Sequence, residues 1–126
     1  MKTRHDKLYV FDIKTCCENI ENYIANVSES EFLQNKMLQD ALVRNIEIIG
    51  EASKNLSTEL REENPQVAWR EIMRMRDKIV HHYFRLNLDV IWQTVSQDIP
   101  ILKAQIEKIF ESFPVIASGL GVKDEK

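Results

Sequence analysis

Apolar residues return at every third or fourth position through most of the chain, and this spacing is the strongest constraint on what it can fold into. Ile13, Cys16, Cys17, Ile20, Ile24 and Val27 follow it, as do Leu38, Leu42, Ile49, Ala52 and Leu56. A third series runs through Leu88, Ile91, Trp92, Val95, Ile99, Leu102, Ile106, Ile109, Phe110 and Phe113. Such a period places the apolar groups on one face of an α-helix. Only three Gly and three Pro interrupt the 126 residues, too few for the many turns of an all-β fold. The length suits one domain, residues 1–126, with no accessory domain. The expected class is all-α, a four- to five-helix antiparallel bundle.

Four helical segments are expected. The first runs roughly from Asp6 to Val27, and Ser28-Glu29-Ser30 reads as a turn and a cap. The second runs from Glu31 to Leu56. On it Arg44, Glu47 and Glu51 fall near one another at three- and four-residue spacing, as supporting ion pairs would. Gly50 interrupts this helix at a cost of about 1 kcal/mol against Ala, which points to a close helix approach. The third segment has Asn64 as N-cap and Pro65 at the first helical position, and it continues to Tyr83. Asn87 caps a fourth that reaches Phe113, with Pro100 in its middle, so this last long helix is expected to be kinked or split there. The tail after about residue 114 is expected to be loose.

The formal net charge is −3, which does not suggest bulk attraction to nucleic acid. Its distribution says more. Between Pro65 and Arg85 stand Arg70, Arg74, Arg76, Lys78 and Arg85 against Glu71 and Asp77, so this stretch is +3 and the remainder −6. No apolar run approaches the roughly 18 residues of a membrane span, and the polar N-terminus has no signal-peptide core. A cytoplasmic protein without a membrane partner is expected. Cys16 and Cys17 are adjacent and have no other cysteine to pair with, so they read as two reduced thiols on or near a helix face.

On a helical wheel centred on Arg76, residues Trp69, Ile72, Met73, Ile79, Val80 and Tyr83 all fall within about 60°. Arg76 therefore sits in the middle of an apolar stripe, where an unpaired guanidinium would be very costly. Arg70, Arg74, Asp77, Lys78 and His81 occupy a second, polar face. Two readings of Arg76 stay open: a packing arginine paired with a carboxylate such as Glu47 or Glu51, or a phosphate ligand using two parallel hydrogen bonds. His81-His82 likewise reads either as a solvated pair at a helix C-terminus or as acid–base machinery near neutral pH. Metal binding fails on count, because His81 and His82 point apart, His5 is remote, and no H-E-x-x-H or Cys/His cluster occurs. Gly-rich phosphate loops and a G-x-S-x-G elbow are absent as well. What remains is acid–base chemistry without metal or cofactor on an anionic substrate.

The stretch Arg76-Asp77-Lys78-Ile79-Val80-His81-His82-Tyr83 resembles the R-x4-H-x-Y signature of HEPN toxins, in particular the HepT-like branch. Alone, R-x4-H is a common pattern. Here the resemblance extends upstream to Asp40-Ala41-Leu42-Val43-Arg44-Asn45-Ile46-Glu47-Ile48-Ile49-Gly50-Glu51-Ala52, to Asn64-Pro65 and to Trp69-Arg70. Downstream it takes in Tyr83-Phe84, Asp89, Val90, Trp92 and Asp98-Ile99-Pro100-Ile101-Leu102-Lys103. It spans roughly Leu8 to Phe110.

The resemblance implies a HEPN-type helical bundle that forms a homodimer and cleaves RNA without metal, through R-x4-H residues that meet across the dimer. It implies a minimal nucleotidyltransferase as antitoxin, able to transfer AMP to the motif tyrosine, Tyr83 here. The family carries Asn or Asp after the motif arginine, and Asp77 keeps to that pattern. Arg76 and His81 lie five residues apart, about 140° around the wheel. A second subunit, or a helix that unwinds near His81, would help them converge on one phosphate. Two copies of His81 could then supply base and acid, Arg76 would stabilise the phosphorane, and Asp77 could orient the His81 ring. Arg70, Arg74 and Lys78 are the expected contributors to substrate binding. The rival reading is a non-catalytic HEPN module that only binds a nucleotidyltransferase. A generic helical scaffold without a partner would leave the motif block unexplained.

Overall fold

The first helix shows how the chain builds its core. Val10, Ile13, Cys17 and Ile20 repeat at three- and four-residue spacing and are all fully buried. The structure, a computed structural model, describes residues 4–82 and 87–114, with residues 4 and 80–82 described by backbone alone. Helix α1 spans Arg4–Ile24. It ends sooner than the apolar pattern suggests because Asn26 takes a left-handed backbone, φ 61°, which asparagine tolerates better than most side chains.

Ser28 then caps the short helix α2, Glu29–Leu33, in a reciprocal box. Its hydroxyl accepts from the Glu31 N–H at 3.1 Å while its own N–H donates to Glu31 Oε1 at 2.8 Å. The expected second helix is thus two helices. Asn35 breaks it by accepting from the Leu38 N–H at 3.0 Å and capping α3, Lys36–Asn55. The break lets Phe32 bury completely and pack on Trp92, with ring centroids 5.1 Å apart.

Helix α4, Thr58–Glu63, was not expected from the pattern. Its N-cap, Ser57, is gripped by the buried carboxylate of Asp6, which accepts from the Ser57 N–H at 2.8 Å and from its hydroxyl at 2.7 Å. Asn64 closes α4 instead of opening the next helix. Pro65 follows in a turn where the Val67 N–H donates to Asn64 O at 3.2 Å, a place that suits its fixed φ as well as a first helical position would. The Trp69 indole also donates to Asn64 O at 3.0 Å. Helix α5 therefore starts later than expected and spans Trp69–His82.

Asn87 caps α6, Leu88–Gln93, as its position suggested, accepting from the Asp89 N–H at 2.8 Å. The disturbance expected at Pro100 takes the form of a π-helical stretch, Thr94–Asp98, before α7, Ile99–Glu111. Pro100 lacks an N–H and crowds the carbonyl four residues back, and the widened turn just before it takes up that conflict. The Thr94 and Ser96 hydroxyls bond the carbonyls of Val90 and Trp92 at 2.8 and 2.7 Å.

Helix α1 lies between α3 and α7 and runs antiparallel to both. Asn19 pairs with Asn45 on α3, while Phe11 and Glu21 meet Phe110 and Lys103 on α7. Helix α5 packs on the other side of α3. All of the described secondary structure is helical, and among the described residues no helix is long and apolar enough to cross a membrane. Cys16 and Cys17 sit inside the core, where burial pushes their thiols up to about 11 and about 12. At neutral pH they are protonated, inert packing groups.

Candidate active site

Helix α5 meets α3 where α3 has no side chain. A Cβ placed on Gly50 would collide with Arg76 Cβ and lie 2.6 Å from Arg76 Cγ. The close approach inferred from Gly50 is therefore an approach to the root of the motif arginine. Arg76 shares its helix face with the buried Trp69 and Ile79, and 26% of its side chain is exposed.

The packing reading of Arg76 is the one this geometry displays. The side chain packs, and it has a carboxylate partner: Nη2 lies 2.8 Å from Glu51 Oε1. Nη1 lies 3.3 Å from Asp77 Oδ1. Lys54 Nζ donates to the same Asp77 oxygen at 2.8 Å. The result is a chain of alternating charges, Glu51–Arg76–Asp77–Lys54. The Lys54 hydrogen bond, with a smaller contribution from Arg76, holds the Asp77 carboxyl below its ordinary range. A guanidinium carries five N–H donors. Glu51 and Asp77 engage two of them, so among the described residues three remain for a ligand.

The other expected residues divide clearly. Glu47 and Arg44 share the stripe of Glu51, but among the described residues neither forms an ion pair with Arg76 or Asp77. Lys54 joins the cluster without having been singled out. Its spacing from Glu51 continues the series through positions 44, 47 and 51, and that was the available signal. Arg70, Arg74 and Lys78 are exposed along α5, as a phosphate-facing surface requires. The backbone of His81 belongs to the same helix, five residues beyond Arg76. The expectations for the His81 ring and for Tyr83 lie outside the described residues.

No group of three or more His, Cys, Asp or Glu side chains is placed to hold a metal ion among the described residues. A concavity lies elsewhere along α5. It is an apolar groove of about 340 Å³ between α3, α5 and α7, lined by Ile46, Ile49, Ile72, Met75, Ile99 and Leu102. Arg76 takes no part in it. The cluster around Arg76 carries two cations, whereas the charged residues lining the groove, Glu71 and Asp98, are acidic.

Residues 13–109 match the family described as Ribonuclease HepT-like. The "probable ribonuclease HepT" of Thermococcus cleftensis is 44% identical over 109 residues, which is 86% of this chain and 98% of that protein. A candidate RNase of Caldanaerobacter subterraneus subsp. tengcongensis is 41% identical over 103 residues, 82% of this chain and 92% of that protein. Another, from Methanocaldococcus jannaschii, is 36% identical over 111 residues, 88% of this chain and 92% of that protein. No solved structure matches significantly. The chain belongs to the HepT-like ribonuclease family and is a HEPN protein with its R-x4-H block on α5.

Proposed function

We propose that this chain is a metal-independent endoribonuclease toxin, active as a homodimer in which Arg76 and His81 of both subunits line one cleft. The observation that supports it best is the Arg76 guanidinium, held at the surface by Glu51 and Asp77 with N–H donors still to offer. In the proposed reaction one His81 takes the proton of a ribose 2′-hydroxyl. The 2′-oxygen bonds to phosphorus, the bond to the 5′-oxygen breaks, and the second His81 returns a proton to that leaving oxygen. Arg76 stabilises the extra negative charge of the phosphorane. The products are a 2′,3′-cyclic phosphate and a 5′-hydroxyl. Arg70, Arg74 and Lys78 guide the RNA, and Asp77 contributes by placing its neighbours.

The cognate antitoxin in this reading is a minimal nucleotidyltransferase that adds AMP to Tyr83. The new phosphate beside the basic face would compete with the RNA phosphate. The experiment is an RNA cleavage assay with EDTA present and product ends identified by mass spectrometry. Activity should persist in EDTA and disappear in His81→Ala. Full activity of His81→Ala, or a monomer at micromolar concentration by light scattering, would refute the reading. Expression alone should arrest growth, and co-expression with a cognate nucleotidyltransferase should relieve the arrest and add the mass of AMP to Tyr83. The Tyr83→Phe variant should keep its nuclease and escape that control.

A further inference from the structure

Arginine is a flexible residue, and a guanidinium useful to a phosphorane has to be in place before the charge develops. Two consecutive residues of α3 restrain both ends of Arg76. Gly50 receives its root, because any Cβ there would overlap the arginine Cβ and stand 2.6 Å from Cγ. The arginine Cβ cannot swing aside, since it is fixed to the α5 backbone. Glu51 holds the head at 2.8 Å through Nη2. Asp77 restrains the other terminal nitrogen and is itself fixed by Lys54, four residues along α3 from Gly50. The guanidinium plane is thus set from α3 although the arginine belongs to α5.

We propose that Gly50 and Glu51 are positioning residues of the nuclease: Gly50 sets how closely α5 approaches α3, and Glu51 sets the orientation of the Arg76 guanidinium. The inference rests on the proposed catalytic role of Arg76. It differs from simple charge neutralisation, in which Glu51 would only compete with the RNA phosphate. Competition predicts that removing the carboxylate tightens RNA binding and leaves turnover intact. Positioning predicts that turnover falls while binding hardly changes.

The test is steady-state cleavage of a short RNA by the full-length protein, with kcat and KM measured separately. Glu51→Ala should lower kcat about tenfold and Gly50→Ala about a hundredfold, with KM changed less than about threefold. Glu51→Gln keeps an oxygen that can accept from Nη2 and should recover most of the kcat lost in Glu51→Ala. Gly50→Ala can also loosen the fold, so Ile13→Val serves as a stability control, and it should keep wild-type kcat at a similar melting temperature. Wild-type kcat in folded Gly50→Ala and Glu51→Ala, with Arg76→Ala inactive, would overturn the positioning role alone. A lower KM with unchanged kcat in Glu51→Ala would overturn it in favour of competition. Full activity of Arg76→Ala would overturn both this role and the reading on which it rests.

Discussion

Helix α3 has two unlike seams. Towards α1 it closes against the fully buried Val10, Ile13, Cys17 and Ile20, and the Asn19–Asn45 pair at 3.2 Å is the polar element identified there. Towards α5 it offers a glycine and a row of charges, and the side chains of Glu51, Lys54, Arg76 and Asp77 are 26–55% exposed. Apolar burial stabilises by about 1.5–3 kcal/mol per large side chain. Exposed ion pairs contribute about 0–1 kcal/mol each. The charged edge of the second seam therefore adds little stability of its own, and buried groups such as Trp69 and Ile79 carry that side of the fold.

The contrast can be broken from either side. Arg76→Ala should cut RNA cleavage about a hundred- to thousandfold while the thermal melt barely moves, and a large loss of stability would show that the charged seam also carries the fold. Ile13→Ala should do the reverse, costing about 2–5 kcal/mol in urea unfolding with kcat unchanged in the folded fraction. Asp6→Ala leaves the half-buried Ser57 N–H and hydroxyl without their acceptor and should cost about 1–3 kcal/mol, read in the same titration.

The smallest effect belongs to pH. The folded-state pKa of Asp77 is depressed below its ordinary value of 3.8, so its contribution is complete above that value and is lost as pH falls through the lower, folded value. Amide exchange in α5 should quicken relative to α1 as pH drops below about 4, once corrected for intrinsic rates. Lys54→Met should remove most of that difference. A Lys54→Met protein that kept the full pH response would assign it to another carboxylate.

Several local features were legible from residues alone because their physics is local. Asn87 caps α6 wherever that helix packs, and Pro100 disturbs any helix that contains it. Gly50 predicted a close neighbour without naming it. Where a local signal had two uses, the wrong one could be chosen. Asn64 can cap either end of a helix and Pro65 suits a turn as well as a first helical position, and the Trp69 indole bond to Asn64 O settles the matter in favour of the turn. Asn35 lies inside the expected second helix, ahead of the stripe that begins at Leu38, and the burial of Phe32 against Trp92 accompanies the break there.

The sequence by itself determined the helical class, the cap at Asn87, the apolar stripe around Arg76 and its need for a carboxylate. These follow from the 3.6-residue period and from the cost of burying an unpaired charge. Only the tertiary structure decided that the carboxylate is Glu51 and not Glu47, and that Lys54 completes the cluster through Asp77. That choice depends on where α5 crosses α3, at Gly50. A crossing point is set by the packing of two helices against each other, so neither helix encodes it alone.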